Sequence, residues 1–430
     1  MRLRATALAV LTTAALAAAT LTALPAAAPA EAAGSAGTAG AAATGAAGPV
    51  RPAKDPFYRY TGARPLRDVR PGTPLKTRQV TLGLDSNGTP LPAEQVLYRT
   101  SDMSGRPVVT VTTVVQPATG TVRPRVAAYL SFYDALSSKC DPSYTLRGGN
   151  PGAPNRQLTD VEQATVASLA ASGYVVTVPD FENERLDYVA GPESGTSALD
   201  GITATLRALG LERGTPVGLM GYSGGSNASD WASELQPRHA PRLHLVGTAM
   251  GGVPVDLRHN LPYVDGTPSW SDVIPAAMIG IARANRLDLR PYLSRWGRKV
   301  VRTESHQCIG EFSGEFPGLT VRHLMKRRYA DVLHVPVFRR LMRRLVMGSA
   351  PGHPAAPMLV VAGNSDGTGD GVMVAADQAH LAAAYCRQGV RVSYVELQGV
   401  DHTSAGAAFV PQAGAWLASR FAGLPAPSTC

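Results

Sequence analysis

Gly221-Tyr222-Ser223-Gly224-Gly225 is the stretch of sequence that decides the fold. It matches G-x-S-x-G, a pattern in which a sharp turn from a strand into a helix presents a serine nucleophile. The pattern alone is weak in a chain with 44 glycines, and an ordinary glycine-rich loop is the alternative. Its flanks favour the turn, because residues 215–220 predict a short buried strand and residues 226–235 predict a helix. Glycines on both sides would relieve the steric clash at a strained serine, so Ser223 is the candidate nucleophile.

Strands and helices alternate along most of the chain on both sides of this turn. The first two predicted strands, 96–101 and 107–116, flank a hairpin turn. Further strands are predicted at 125–132, 173–179, 244–249, 357–362 and 390–397, and helices at 159–172, 197–209, 374–387 and 407–421. Apolar strands that alternate with helices are typical of a mostly parallel sheet covered on both faces. The predicted fold class is therefore α/β, with such a sheet at its centre.

One long segment before the strand at 357–362 breaks this alternation and predicts mainly helices. Residues 255–349 hold 16 Arg and Lys against 8 Asp and Glu, so nearly all of the net charge of +9 lies there. We interpret residues 255–350 as a helical cap inserted into a core that consists of residues 54–254 and 351–430. The basic cap suggests peripheral contact with anionic lipid surfaces, and an ordinary solvated arginine-rich surface is the alternative.

The N-terminus has the pattern of a secretory signal peptide. Arg2 and Arg4 precede an apolar run at 5–24, which is followed by small-residue cleavage sites, so residues 1–33 are predicted to be removed. An uncleaved membrane anchor is the alternative. Residues 34–53 are mostly Ala and Gly and predict a disordered linker. No later segment is apolar over enough residues to span a bilayer, so the protein is predicted to be secreted.

A serine nucleophile needs a base, and the base needs an acid that orients it. In chains with this kind of turn, the order along the sequence is serine, acid, histidine. His402 is the histidine that follows a late strand and precedes the final helix, so it is the candidate base. The acid is expected in the loop after the strand at 357–362, which offers Asp366 directly off the strand and Asp370 before the next helix. Helix capping or calcium ligation is the alternative use of this loop.

The negative charge that develops during acyl transfer is stabilised by backbone N–H donors. One donor is expected from Gly224, the residue after the nucleophile. The other is expected from the loop at 131–136, which follows an earlier strand. This chemistry implies no cofactor and no metal ion.

The chain resembles the secretory lipases of the family of Candida antarctica lipase A, and most closely its actinobacterial members. The resemblance covers residues 55–430 and consists of many short matches in the right order. The matching stretches are Asp55-Pro-Phe-Tyr58, Tyr98-Arg-Thr-Ser-Asp-Met-Ser-Gly-Arg106, Tyr133-Asp-Ala-Leu136, Cys140-Asp-Pro-Ser-Tyr144, Val178-Pro-Asp-Phe181, Ser197-Ala-Leu-Asp-Gly-Ile202, Gly251-Gly-Val-Pro254, Tyr385-Cys386, Asp401-His402 and Trp416 to Cys430. The resemblance implies an α/β-hydrolase fold with an inserted helical cap.

The same resemblance implies further site residues. Tyr133-Asp-Ala-Leu136 is similar to the oxyanion loop of the family, which makes the backbone N–H of Asp134 the second donor beside Gly224. The single Gly-x-x-Asp pattern of the family aligns with Asp366 when counted from the preceding strand. Counted back from Cys386, it aligns with Asp370, as if the loop carried four extra residues. Asp366 is the preferred candidate for the acid, and Asp370 is the alternative.

Four cysteines in an exported chain suggest two disulfides, for which three pairings exist. The two disulfides of the family would fall on Cys140–Cys308 and Cys386–Cys430 in this chain. The second of these would fix the C-terminal residue to the body of the protein.

Together, these patterns predict a secreted, serine-dependent lipase or carboxylesterase. It would hydrolyse acylglycerols or other fatty-acyl esters through an acyl-enzyme intermediate. Neither nucleic acid nor a cofactor is expected as a partner. A peptidase or an acyltransferase on the same fold is the nearest alternative, and a catalytically idle surface-binding protein is the alternative from another class.

Overall fold

The computed structural model describes residues 48–83, 90–118 and 123–430. The predicted signal peptide at 1–33 and most of the predicted linker at 34–53 lie outside the described residues. The described part begins with three short 3-10 helices at Pro52–Lys54, Pro56–Tyr58 and Leu66–Asp68.

A sheet of nine strands runs through the described part of the chain. The strands are β1 (Pro74–Leu82), β2 (Leu91–Ser101), β3 (Pro107–Val115), β4 (Val126–Leu130), β5 (Val175–Pro179), β6 (Pro216–Tyr222), β7 (His244–Gly251), β8 (Met358–Asn364) and β9 (Val392–Gln398). Their order across the sheet is β1-β2-β3-β5-β4-β6-β7-β8-β9. The pairs from β1 to β5 along this order are antiparallel, and all later pairs are parallel. The predicted α/β class with a mostly parallel sheet is therefore confirmed.

Twelve α-helices are found among the described residues. They are α1 (Pro142–Thr145), α2 (Ala153–Ala171), α3 (Gly191–Ala208), α4 (Gly224–His239), α5 (Leu257–Val264), α6 (Val273–Ala284), α7 (Arg295–Glu304), α8 (Ile309–Phe312), α9 (Val321–Leu324), α10 (Pro336–Arg343), α11 (Ala375–Arg387) and α12 (His402–Phe421). Further 3-10 helices lie at Ser138–Cys140, Arg327–Tyr329 and Val332–His334.

Helices cover both faces of the sheet, because successive residues of each strand point to opposite faces. In β4, Val126, Ala128 and Leu130 belong to a cluster with apolar residues of α3 and α4. The intervening Ala127 and Tyr129 pack on the other face with residues of α2 and α12. Every residue of β4 is buried, as expected for a parallel strand between two helical layers.

The predicted hairpin is confirmed, since β2 and β3 pair with Ser101 opposite Pro107. Several boundaries and one strand differ from the prediction. Helix α2 begins at Ala153 and not at 159, and strand β2 begins at Leu91 and not at 96. Helix α3 begins at Gly191 and not at 197. The prediction started too late because glycines in the first half of the helix weaken the helical signal without preventing the helix. Helix α12 begins at His402 and not at 407. Strand β1 was not predicted, because all of its residues except the last, Leu82, are only half-buried or exposed and the strand carries little apolar pattern.

Six helices, α5 to α10, lie between β7 and β8. All of them except α8 contribute to an apolar cluster that includes Val264, Met278 and Phe338, and Val372 and Met373 from the segment after β8 join it. A helical segment thus occurs where the sequence predicts one. The assignment of residues 255–350 as a separate cap stays a prediction.

Both disulfides implied by the family resemblance are present. Cys140–Cys308 joins the segment after β4 to the segment before α8, and Cys386–Cys430 joins α11 to the C-terminal residue. The first spans 168 residues and the second 44. In the chain-entropy model, such loops correspond to about 5 and about 4 kcal/mol of stabilisation, respectively.

Candidate active site

Ser223 lies in the turn between β6 and α4, with a φ of 53°. Its backbone N–H donates to the carbonyl of Gly251 at 2.9 Å, which fixes the turn against β7. A Cβ on Gly221 would lie 2.2 Å from the carbonyl oxygen of Gly225, and one on Gly225 would lie 2.0 Å from that of Leu130. Both glycines are therefore required by close backbone contacts, and they leave the Ser223 hydroxyl at the end of the strand.

His402 is the first residue of α12, and its imidazole Nε2 lies 2.9 Å from the Oγ of Ser223. Its backbone N–H donates to the carbonyl of Asp370 at 2.8 Å, and its carbonyl accepts from the hydroxyl of Tyr222 at 2.6 Å. The ring contacts the rings of Tyr222 and Trp270, with centroids 5.1 and 5.4 Å away. Backbone and ring contacts together hold the imidazole towards Ser223.

Asp370 completes a continuous chain of hydrogen bonds. Its Oδ2 lies 2.8 Å from the Nδ1 of His402, so this nitrogen carries the proton and Nε2 can accept from Ser223. Its Oδ1 accepts from the backbone N–H groups of Val372 and Met373, at 2.9 and 2.7 Å. The side chain is fully buried. Both carboxylate oxygens therefore have fixed partners.

Asp366, the preferred candidate for the acid, is not beside the imidazole, and this expectation is corrected. Its carboxylate is exposed and accepts from the N–H groups of Thr368 and Gly369, at 2.8 and 2.9 Å. It also accepts from the hydroxyl of Tyr263 at 2.9 Å. The hydrogen bond from Gly369 is the largest of the causes that hold the pKa of Asp366 below its ordinary value.

A closed turn explains why Asp370 has the place beside His402. The N–H of Ser365 donates to the carbonyl of Gly369 at 2.6 Å, so the chain leaves the end of β8 and returns to it. A Cβ on Gly369 would lie 2.0 Å from the carbonyl of Met373, so only glycine fits there. The turn projects Asp366 outward. The spacing to Cys386 was the sequence signal for Asp370.

Asp134 and Gly224, the expected oxyanion donors, are adjacent. A Cβ on Gly224 would lie 1.7 Å from the Oδ1 of Asp134. Asp134 has a φ of 35°, which turns its backbone at the end of β4. Within the part of the chain that the structure describes, the N–H groups of Asp134 and Gly224 have no hydrogen-bond partner. Two free donors thus lie beside the hydroxyl of Ser223.

Two buried glutamates brace the loop that carries Asp134. Glu162 accepts from the N–H of Phe132 at 3.0 Å, and Glu182 accepts from the N–H of Ala135 at 2.9 Å. Burial raises the pKa of Glu162 to about 7. Burial, and then the charge of Glu162, raise the pKa of Asp134 well above its ordinary value. A raised pKa favours the neutral form of Asp134, which would avoid a negative charge where an oxyanion would form. Sequence reasoning missed both glutamates, because nothing in the local pattern distinguishes them.

An apolar cavity of about 350 Å³ opens from Ser223 and His402. It extends between α5, α6 and α10, and its walls include Ile274, Met278, Phe338, Met342, Val372 and Met373. The volume lies in the range of small-molecule sites in proteins. An apolar chain attached to a carbonyl carbon at Ser223 would be shielded from water there.

The described residues contain neither a cluster of metal-ligating side chains nor a membrane-spanning helix. No three or more His, Cys, Asp and Glu side chains in ranges 48–83, 90–118 and 123–430 are grouped so as to hold a metal ion. Within the same part of the chain, no helix has the length and apolar character needed to cross a membrane.

A family profile described as "Secretory lipase" matches residues 153–429, more than half of the chain. The chain belongs to the secretory lipase family. The chain is therefore a carboxylic ester hydrolase of the lipase type, and the predicted family and class of enzyme are confirmed. The predicted extracellular localisation is consistent with the description of the family as secretory.

Two curated relatives align along most of the chain. A protein of Mycobacterium tuberculosis called a probable inactive lipase is 32% identical, over 87% of this chain and 83% of the relative. A secreted triacylglycerol lipase of Malassezia globosa is 30% identical, over 88% of this chain and 83% of the relative. One of these relatives is thus named as a triacylglycerol lipase and the other as a probable inactive lipase.

Two solved structures have the same fold. Candida antarctica lipase A matches with a TM-score of 0.82 and 22% identity, over 89% of both chains. The rice cell wall degrading esterase LipA of Xanthomonas oryzae matches with a TM-score of 0.61 and 16% identity, over 81% of this chain and 97% of the esterase. The predicted α/β-hydrolase fold is thereby confirmed.

Proposed function

We propose that Ser223, His402 and Asp370 form a catalytic triad that hydrolyses fatty-acyl esters, acylglycerols among them. One observation carries the proposal: the Ser–His–Asp chain of hydrogen bonds, at 2.9 and 2.8 Å, opens directly onto an apolar cavity. The name of the Malassezia relative supports acylglycerols as substrates. The complete Ser–His–Asp chain of hydrogen bonds favours this proposal over a catalytically idle protein.

In the proposed reaction, the Oγ of Ser223 attacks the ester carbonyl while the Nε2 of His402 takes its proton. The imidazolium then gives this proton to the leaving alcohol, which leaves an acyl-enzyme. Water then attacks the acyl carbonyl while the Nε2 of His402 takes a proton from it, and the imidazolium returns this proton to the Oγ of Ser223 as the acid is released. Asp370 keeps the proton on Nδ1 and stabilises the imidazolium, without itself becoming protonated.

The tetrahedral oxyanion of each step would accept hydrogen bonds from the N–H groups of Gly224 and Asp134. Loss of one such donor typically costs about 3 kcal/mol of transition-state stabilisation. The bracing of residues 132 and 135 by Glu162 and Glu182 supports this role, since donors fixed in advance need no reorganisation during the reaction.

The activity is tested with p-nitrophenyl esters of increasing acyl length and with matched peptide amides. We expect ester hydrolysis to increase from short to longer acyl chains, because longer chains fill more of the apolar cavity. Ser223→Ala should lower kcat by about four orders of magnitude or more and abolish labelling by a fluorophosphonate. Preferential cleavage of the amides would favour a peptidase, and unlabelled wild-type protein would favour an inactive one.

We further propose that α10 contacts anionic lipid surfaces. Four exposed arginines lie on its outer side and at its end: Arg339, Arg340, Arg343 and Arg344. None of the four forms an ion pair among the described residues. The inner side carries the buried Phe338 and Met342, which line the cavity. The basic and apolar sides are therefore separate, and each charge near an anionic surface contributes about 1 kcal/mol.

This contact is tested by binding to phosphatidylserine-containing and neutral vesicles. Arg339→Gln with Arg343→Gln should weaken binding to the anionic vesicles by about an order of magnitude at low salt, and salt should remove the difference. The matched control is Arg67→Gln with Arg290→Gln, because these exposed arginines pair with Asp68 and Asp288. Equal binding to both kinds of vesicle, or equal effects of both double variants, would contradict the proposal.

The N-terminal assignment is also a proposal: residues 1–33 would be removed on export, which leaves the linker at 34–53 at the start of the mature protein. N-terminal sequencing of protein secreted by an actinobacterial host tests it. A mature N-terminus close to residue 34 is expected, and an intact Met1 would contradict the proposal.

A further inference from the structure

Helix α5 lies along the segment that follows β8. The amide of Asn260 donates to the carbonyl of Val372 at 2.7 Å. The hydroxyl of Tyr263, one turn later, accepts from the N–H of Gly371 at 2.9 Å and donates to Asp366 at 2.9 Å. The amide of Asn260 also donates to the Sδ of Met373 at 3.3 Å. Two polar side chains of one helix thus hold the three residues that follow Asp370.

These residues also supply the N–H groups that orient the acid. The Oδ1 of Asp370 accepts from Val372 and Met373, whereas its Oδ2 faces His402. Any rotation of the segment moves the two N–H donors and turns the carboxylate away from the imidazole. Tyr263 holds the N–H at the start of this segment, beside Asp370 itself.

Resting on the proposed triad, we infer that Tyr263 is a positioning residue: its hydroxyl fixes Gly371, and through it the orientation of Asp370. Several causes, of which burial is the largest, raise the pKa of Tyr263 to about 12. The hydroxyl therefore remains protonated at working pH. It therefore donates to Asp366 while it accepts from Gly371.

Three variants separate this role from general anchoring of α5. Tyr263→Phe removes the acceptor for Gly371 and should lower kcat about three- to tenfold at unchanged KM, as expected for one hydrogen bond. Asp366→Asn keeps a side-chain oxygen that can accept from the turn, and it leaves the hydrogen bond between Tyr263 and Gly371 in place. The kcat of this variant should therefore stay within about twofold of the wild-type value. His259→Gln is the control, because His259 lies on the same helix but contacts Asp377 of α11 at 2.9 Å. It should leave kcat and KM unchanged.

A spectroscopic readout makes the test independent of the substrate. The proton between the Nδ1 of His402 and Asp370 should give a low-field proton NMR resonance in the wild-type protein. Tyr263→Phe should shift or broaden it, whereas Asp366→Asn and His259→Gln should preserve it. All variants are first compared by thermal unfolding.

The outcomes separate this inference from the proposed function. If Tyr263→Phe changes neither kcat nor the resonance, the positioning role is wrong although the triad stands. If kcat falls with an unaltered resonance, the role is also wrong. If a fluorophosphonate does not label the wild-type protein, the proposed function fails. The resonance alone then still decides whether Tyr263 orients Asp370.

Discussion

The turn around Ser223 and the loop around Asp370 supply two members of the proposed triad, and they are built in opposite ways. At Ser223, five consecutive residues fix the geometry, because the glycines allow backbone contacts that no side chain could fit. At Asp370, hydrogen bonds from α5 and from a closed turn decide which carboxylate faces the imidazole. Local steric constraint leaves a motif in the sequence. A position that depends on how a loop closes is visible in the sequence only as a spacing, and here the spacing was ambiguous between Asp366 and Asp370.

The test with the largest expected effect replaces each of the two acids of the loop by asparagine in turn. Asp370→Asn should lower kcat by about three to four orders of magnitude, because the imidazole loses the group that selects its tautomer. Asp366→Asn should retain kcat within about twofold, since its partners are a turn and Tyr263. Steady-state kinetics on one soluble ester checks both. A reversed order of the two losses would make Asp366 the acid.

A second test compares one glycine from each region. Gly225→Ala should lower the free energy of unfolding by about 3 kcal/mol and abolish activity, because its Cβ would overlap the carbonyl of Leu130. Gly367→Ala, at a φ of 84° in open space, should cost about 1–2 kcal/mol and leave activity in place. Chemical denaturation measures both. Similar losses at the two positions would show that the acid loop is as sterically constrained as the nucleophile turn.

The smallest expected effect concerns pH, which acts with opposite signs on Glu162, under the loop of Asp134, and on Asp366, in the loop of Asp370. The raised pKa of Glu162, about 7, means that its contribution to stability is complete below its ordinary pKa and is lost as pH rises through 7. The lowered pKa of Asp366 gives a contribution that is present above its ordinary pKa and is lost as pH falls. Because Asp366 is exposed, that contribution is small.

Glu162→Gln should therefore reduce, by a few degrees, the decrease in melting temperature between pH 5.5 and 8.5. Asp366→Asn should leave that decrease unchanged. Thermal unfolding of the three proteins across this range provides the measurement. An unchanged pH dependence in Glu162→Gln would mean that Glu162 is not the buried group responsible.

Several elements were predictable because their signal is local. The hairpin of β2 and β3, the buried parallel strands and the helix after Ser223 follow from apolar patterning alone. His402 followed from its order along the chain and from its place before the last helix. Strand β1 and the first turn of α3 were missed, because exposure and glycines remove the apolar and helical signals there.

The sequence by itself determined the fold class, the candidate nucleophile and base, and, through the family resemblance, both disulfides. Only the tertiary structure decided between Asp366 and Asp370, placed Glu162 and Glu182 under the loop of Asp134, and brought Tyr263 to the acid. The physical reason is the range of the interactions. Steric limits act between neighbouring residues and appear in the sequence, whereas burial and hydrogen bonds between distant segments exist only after the chain has folded.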